Sequence, residues 1–257
     1  MVQDLQISVA GRQLAMAFHP FDGRTEVGLA KLSGGPQSRA EWLIAMLATE
    51  IRTGDQPLPL EALTLAEFDA ALAHLYQALY GTRVPCEGSC TSCGERYEFN
   101  LDLEAMQAAL ATEAEGDEIE EGVATNSETG RRFRLPTLGD LSRLESEGTE
   151  AWLRGLLLDG SFSLDLEGEI AKAAPVLSQD ITANCPDCGA QNRVRFDLAR
   201  YLLETLAGEA GFLWREVHLI AERYGWSLQE ILELSRDVRR QLAGLIVSDR
   251  TALRLAS

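Results

Sequence analysis

The chain has 257 residues, five of them cysteine, and a formal net charge of −17 with a pI near 4.6. That length suits one large domain or two modest ones around a buried core. The acidic balance opposes binding to DNA, RNA or an anionic membrane, because those partners require a basic surface that releases counterions. No apolar run reaches the length of a membrane span and no basic-then-apolar leader opens the sequence, so a cytoplasmic protein at synthesis is expected.

Leu5, Ile7 and Val9 alternate with polar residues, Gly11 turns the chain, and Leu14, Met16 and Phe18 alternate again, which predicts an edge hairpin. The stretch through Gly34-Gly35-Pro36 reads as loop. Ser38 with Glu41 then forms a capping box for a helix carrying Trp42, Leu43, Met46, Leu47 and Ile51, ended by Gly54. Thr64 with Glu67 makes a second capping box, with Leu63 and Phe68 at staple positions. Leu65, Phe68, Leu72, Leu75, Tyr76 and Leu79 follow at helical spacing up to Gly81.

The acidic stretch TEAEGDEIEEG from Thr112 to Gly122 lacks apolar periodicity and reads as a solvated linker or loop. RRFRLPT is a short strand stopped by Pro136, after which Thr137 and Asp140 start a helix. A further helix is expected around Trp152–Leu158. Near the end, Leu213, Val217, Ile220 and Tyr224 mark one helix closed by Gly225. Ser227 and Glu230 cap a second, with Trp226 and Ile231 as its staple and Leu228, Ile231, Leu232, Val238, Leu242, Leu245 and Ile246 as its apolar stripe. Arg236, Arg239 and Arg240 are expected on its solvated face.

Two stretches repeat each other. CTSCGERYEFNLDL, from Cys90, and CPDCGAQNRVRFDL, from Cys185, each read C-x-x-C-G, then polar residues, then a short alternating strand, then Asp-Leu. Asp102 lies nine residues past Cys93 and Asp197 nine past Cys188, so the repeat is in register. Two such knuckles supply the four thiolates of a tetrahedral zinc, and the glycines let the backbone turn tightly around the ion. Cys90, Cys93, Cys185 and Cys188 are therefore the expected ligands of one structural Zn2+, closed to substrate and water. A redox C-x-x-C would stand once, at a helix start, and would not recur with a matching strand. Structural disulfides fit poorly with five cysteines and no leader. Cys86 has no counterpart in the second repeat; it is a spare ligand, a free thiol or a buried small residue, the last being the commonest fate of a lone cysteine.

Catalytic signatures are missing: the sequence has no H-E-x-x-H, G-x-S-x-G, Walker loop or G-x-G-x-x-G. His19, His74 and His218 are scattered, and His218 has a local partner in Glu222 one helical turn on. A non-enzymatic protein is expected.

The segment LTLAEFDAALAHLYQALYG with the first knuckle resembles the baseplate-hub assembly proteins of T-even-type phages. NCPDCG with RFDL, followed by FLWREVHLIAERYGWSLQEILELSRDVRRQL, is similar to the C-terminal part of related proteins of contractile tails and phage-tail-like injection systems. RFRLPTLGDL is similar to a further piece of that group. The resemblance spans about two-thirds of the chain and leaves the acidic linker, Cys86 and Ser161–Val176 unmatched. It implies a structural or assembly role in the baseplate or hub of a contractile particle. The implied partners are other baseplate, hub or tail proteins, and incorporation into the particle is compatible with it. A zinc-ribbon nucleic-acid module is the rival reading, opposed by the charge. The expected architecture is α+β and predominantly helical. It has a lobe at 1–112 with the first knuckle, a linker at 113–122, and a lobe at 123–257 with the second knuckle and a helical hairpin, the two joined by a split zinc ribbon.

Overall fold

The computed structural model describes residues 4–9, 11–113 and 117–255. The fold is mixed α+β, with about half of the chain in helices and a quarter in strands. The expected N-terminal hairpin forms. Strand β1 (Leu5–Val9) pairs antiparallel with β2 (Arg12–Phe18), Leu5 opposite Met16, and alternation buries Leu14, Met16 and Phe18.

The following residues depart from the expected loop. Asp22 accepts a hydrogen bond from the Thr25 N–H and caps helix α1 (Gly23–Lys31). Two glycines lower the helical propensity of this segment and conceal it from pattern reading. One of them, Gly28, faces the Trp42 ring, which would stand 2.6 Å from an added Cβ. Helix α2 (Pro36–Leu47) starts at its proline without a side-chain cap, so Ser38 and Glu41 are not the capping box expected of them. It also stops before Ile51. Thr49, Ile51 and Thr53 are β-branched and lie in β3 (Ala48–Thr53), which turns at Gly54 into β4 (Gln56–Pro57). The sheet order is β1-β2-β3-β4.

The Thr64–Glu67 capping box is present and opens α3 (Leu65–Tyr80), with Leu63 and Phe68 buried beside it and Gly81 at its end. Glu67 is itself fully buried. Arg12 of β2 compensates it, Nε donating to Oε1 at 2.9 Å. Strands β5 (Arg83–Ser89) and β6 (Arg96–Asp102) then form a hairpin followed by α4 (Leu103–Glu113).

Of the acidic stretch, residues 114–116 lie outside those described, but Glu118–Glu120 form β7, paired antiparallel with β8 (Val123–Thr125). The segment expected as a solvated linker is thus partly a sheet edge. Strand β9 (Arg132–Arg134) follows, and then α5 (Leu138–Glu147), where the Asp140 carboxylate accepts from the Thr137 N–H at 2.9 Å as expected. Helix α6 (Thr149–Leu156) and β10 (Leu157–Asp159) occupy the region assigned to a helix through Leu158; the second sheet runs β10-β9-β8-β7. With α7 (Leu166–Ala173), these elements enclose Phe133, Leu153, Leu156 and Leu166. Strands β11 (Asp180–Asn184) and β12 (Gln191–Arg195) form the second knuckle hairpin.

Three helices end the chain: α8 (Leu198–Tyr224), α9 (Leu228–Leu232) and α10 (Arg236–Leu255). The Ser227–Glu230 capping box forms, yet the helix it starts breaks after Leu232. The break changes the face that α10 turns inward. Val238 and Leu245, expected in the buried stripe, are 43% and 54% exposed, whereas Arg236, Arg239, Ala243 and Ile246 are buried. The arginines expected on a solvated face are therefore a correction: Arg236 and Arg239 are inside, and Arg240 is partly exposed. Each is neutralised where it lies. Arg236 and Arg240 bind Glu209, and Arg239 binds Glu26 and, at 2.7 Å, Glu216.

Two compact units interleave along the chain. A knuckle unit comprises Asp4–Ala17 and Glu50–Leu198, and a helical unit comprises Phe18–Thr49 and Ala199–Ser257. The sequence reading expects consecutive lobes instead. Within the helical unit the chain's end returns to residues near its start, the Arg236 N–H donating to the Phe21 carbonyl and Arg239 reaching Glu26. Among the described residues no helix is long and apolar enough to cross a membrane.

Candidate metal centre

Each C-x-x-C-G sits at the tip of a hairpin, β5–β6 for the first and β11–β12 for the second. The two tips are built alike. Cys90 N–H donates to Glu95 O and Gly94 N–H to Cys90 O, while Cys185 N–H donates to Ala190 O and Gly189 N–H to Cys185 O, each bond 2.9 Å long. Gly94 and Gly189 adopt φ of 80° and 74°, a left-handed turn that a side chain would strain. The register of the repeat extends into the structure, since Leu103 begins α4 and Leu198 begins α8.

The hairpins bring all four sulfurs within 4.8 Å of one another. Cys90 Sγ lies 3.5 Å from Cys188 Sγ, and Cys93 Sγ lies 3.8 Å from Cys185 Sγ. A disulfide needs about 2.05 Å, and the cysteines are free. Four thiolates around an ion at about 2.3 Å, the zinc–sulfur length, form a tetrahedron with edges of about 3.8 Å. The observed spacing fits that shape, so the four cysteines could hold a metal ion. Cys90 and Cys185 are buried while Cys93 and Cys188 are exposed, so each knuckle contributes one inner and one outer sulfur.

The protons of the cluster respond to its crowding. The Cys93 amide pulls the Cys90 thiol down to about 6 against the opposing effect of burial, with help from the Ser92 amide. For Cys93, the Glu95 amide favours the thiolate, but burial and the three neighbouring sulfurs push the thiol up to about 12. A bound cation removes that repulsion and takes the place of the retained protons.

Asn192 is the residue that pattern reading misses. It is buried, and its Oδ1 accepts from Thr91 N–H at 2.8 Å and from Thr91 Oγ1 at 3.0 Å. Its Nδ2 donates to Ala190 O at 3.0 Å and lies 3.7 Å from Cys90 Sγ. One amide thus holds both knuckles, as expected of groups that orient metal ligands. The link has no mirror image. The position matching Thr91 is Pro186, which has no N–H to donate, and the position matching Asn192 is Tyr97, which is buried beside the sulfurs with Ala183. Comparing the two repeats would have singled out these Thr–Pro and Tyr–Asn exchanges, but nothing in one sequence says that Asn192 points inward.

Cys86 stands apart, on β5, with its sulfur 3.7 Å from the Val84 carbonyl and its thiol pushed up by burial. His218 lies on the exposed surface 3.8 Å from Glu222. Comparison with protein-family models, with curated proteins and with solved structures returns no match to this chain.

Proposed function

We propose that the chain is a non-enzymatic, zinc-stabilised structural or assembly protein of the baseplate or hub of a contractile phage tail or phage-tail-like injection system. The observation that carries the metal part is the convergence of Cys90, Cys93, Cys185 and Cys188 from two equivalent hairpin tips. Four thiolates leave no coordination position for a substrate, so the ion is a staple and the pair of hairpins a zinc ribbon split in sequence. Its tail role rests on the resemblance of the α3, α8 and α9 segments to that group.

The surface of those segments supports a role in protein contacts. Tyr224 and Trp226 stack at 5.2 Å where α8 gives way to α9, and with Leu228 they are 43%, 40% and 49% exposed. Tyrosine and tryptophan exposed together are the usual anchors of protein interfaces. Purification of tagged protein from cells expressing the surrounding tail genes tests the reading. Baseplate or tail proteins should copurify with the parent and be reduced with Tyr224→Ala/Trp226→Ala. Retention of nucleic acid in place of tail proteins, or an electrophoretic shift of random DNA at physiological salt, would favour the zinc-ribbon nucleic-acid module.

A further inference from the structure

The helical unit holds an arginine with one shielded, unpartnered nitrogen. Arg39, on α2, makes no hydrogen bond or ion pair with any described side chain, and its Nε is buried without a partner. Arg39 is half-buried, and a ligand carboxylate would supply the acceptor that its shielded Nε–H lacks.

Arg39 lines a groove of about 350 Å³ between the α1–α2 segment and α8. Phe21, Leu29, Leu206 and Leu213 form its apolar wall, and Ala207 and Ala210 keep it open by being small. Lys31 adds a second positive charge, whereas the one carboxylate in the wall, Glu26, is already held by Arg239. The groove is therefore apolar with a positive end. Trp214, 52% exposed, also lines the groove.

We infer that this groove docks a segment of a partner protein in which an apolar side chain is followed by a carboxylate, the apolar group filling the wall and the carboxylate pairing with Arg39. Charge complementarity selects the carboxylate. The exposed Trp214 in its wall favours a protein segment over a free amphiphile, because tryptophan is a usual anchor of protein interfaces. This deepens the assembly reading by specifying a partner's chemistry. It rests on residues of the helical unit alone and is independent of the metal.

Three probes test it by nuclear magnetic resonance of the full chain, read at the Arg39 Nε–H and the Trp214 indole N–H. They are 4-phenylbutanoate, 4-phenylbutanamide and the capped peptide Leu-Leu-Glu-Leu. The acid and the peptide should shift both signals saturably, and the amide should bind about tenfold more weakly, as expected for loss of a charge-assisted hydrogen bond. Arg39→Gln should erase the preference for the acid, and Ala210→Leu should block all three by filling the groove. Equal binding of acid and amide, or no shift with any probe, overturns the inference without using a variant. Tighter binding of the free acid than of the peptide overturns the protein partner and assigns the groove to a free amphiphile. In that event, copurification with tail proteins through Tyr224 and Trp226 would be unaffected, so the two readings fail separately.

Discussion

Two side-chain clusters bring distant parts of the chain together, one made of cysteines and the other of charged residues. In the knuckle unit, Cys90 and Cys93 meet Cys185 and Cys188, and the geometry leaves room at the centre for an ion that the chain does not encode. In the helical unit, Arg239 joins Glu26 to Glu216, so the cation is a side chain. The difference concerns what can be removed. A metal can be chelated from a finished protein and returned to it, whereas Arg239 can be lost only by mutation. With an ion bound, the first cluster would make one unit's stability conditional on its surroundings, which the second does not.

Chelation should have the largest effect. Structural zinc is worth about 10–16 kcal/mol in small peptides, as much as the whole stability of many domains. A strong chelator should therefore expose the knuckle unit to protease, including the acidic stretch near Glu118. The α8–α10 region, held by its own ion pairs, should persist longer. Limited proteolysis with mass spectrometry reads both, and cleavage of the two regions at the same rate would mean that their stabilities are not separate.

Arg239→Met tests the other cluster. It leaves Glu26 without a cation and Glu216 with only Arg240 at 3.7 Å, and should cost about 3–5 kcal/mol in urea unfolding. Replacing the glutamates by glutamine in the same background should recover much of that. Bound metal should be unchanged in both variants.

A smaller effect separates a buried charge with a cation from one without. Asp69, on α3, is buried and accepts from Leu177 N–H at 2.7 Å and Ser178 N–H at 3.2 Å, but no arginine reaches it. Burial pushes its carboxyl up to about 6; the Ser178 and Leu177 amides oppose the shift and Asp197 adds to it. Because the folded pKa lies above the unfolded value, the folded state binds the extra proton, and stability declines as pH rises from about 4 to about 6. Asp69→Asn keeps the acceptor and removes the charge. Relative to the parent it should gain up to about 3 kcal/mol on going from pH 4 to pH 7, the difference cancelling protonation of the cysteines. A difference that does not change with pH would show that Asp69 keeps an ordinary pKa.

Cys86→Ser should change least. Its sulfur lies outside the four-cysteine cluster, so metal content by elemental analysis should match the parent's. A loss comparable with that of Cys90→Ser would place Cys86 among the ligands.

The two clusters also differ in how far the sequence discloses them. A C-x-x-C-G repeated with the same downstream Asp-Leu has few other uses, and the ligand geometry follows from its spacing, so the cysteine cluster was legible before any coordinates. Arginine is ordinarily a surface residue. Arg236 and Arg239 became core residues because the break after Leu232 turned the face of α10, and their acids lie on α1 and α8, remote in sequence. Local chemistry was similarly readable at Thr64–Glu67, Thr137–Asp140 and Ser227–Glu230, where a cap is fixed within four residues. It failed at Ser38–Glu41, where the proline at Pro36 started the helix earlier, and at α1, where glycines concealed a helix stabilised by Asp22 and by packing on Trp42.

Titration of metal-free protein with cobalt(II) asks whether one ion is shared by the two knuckles, because thiolate-to-cobalt absorption reports both the number of ions and the ligand type. Saturation is expected at one equivalent with the spectrum of a tetrahedral four-thiolate site, displaced by one equivalent of zinc. Cys185→Ser and Cys90→Ser should each lose it, since both hairpins contribute. Two equivalents bound independently, or a full four-thiolate spectrum in either variant, would contradict a single ion shared by the two knuckles.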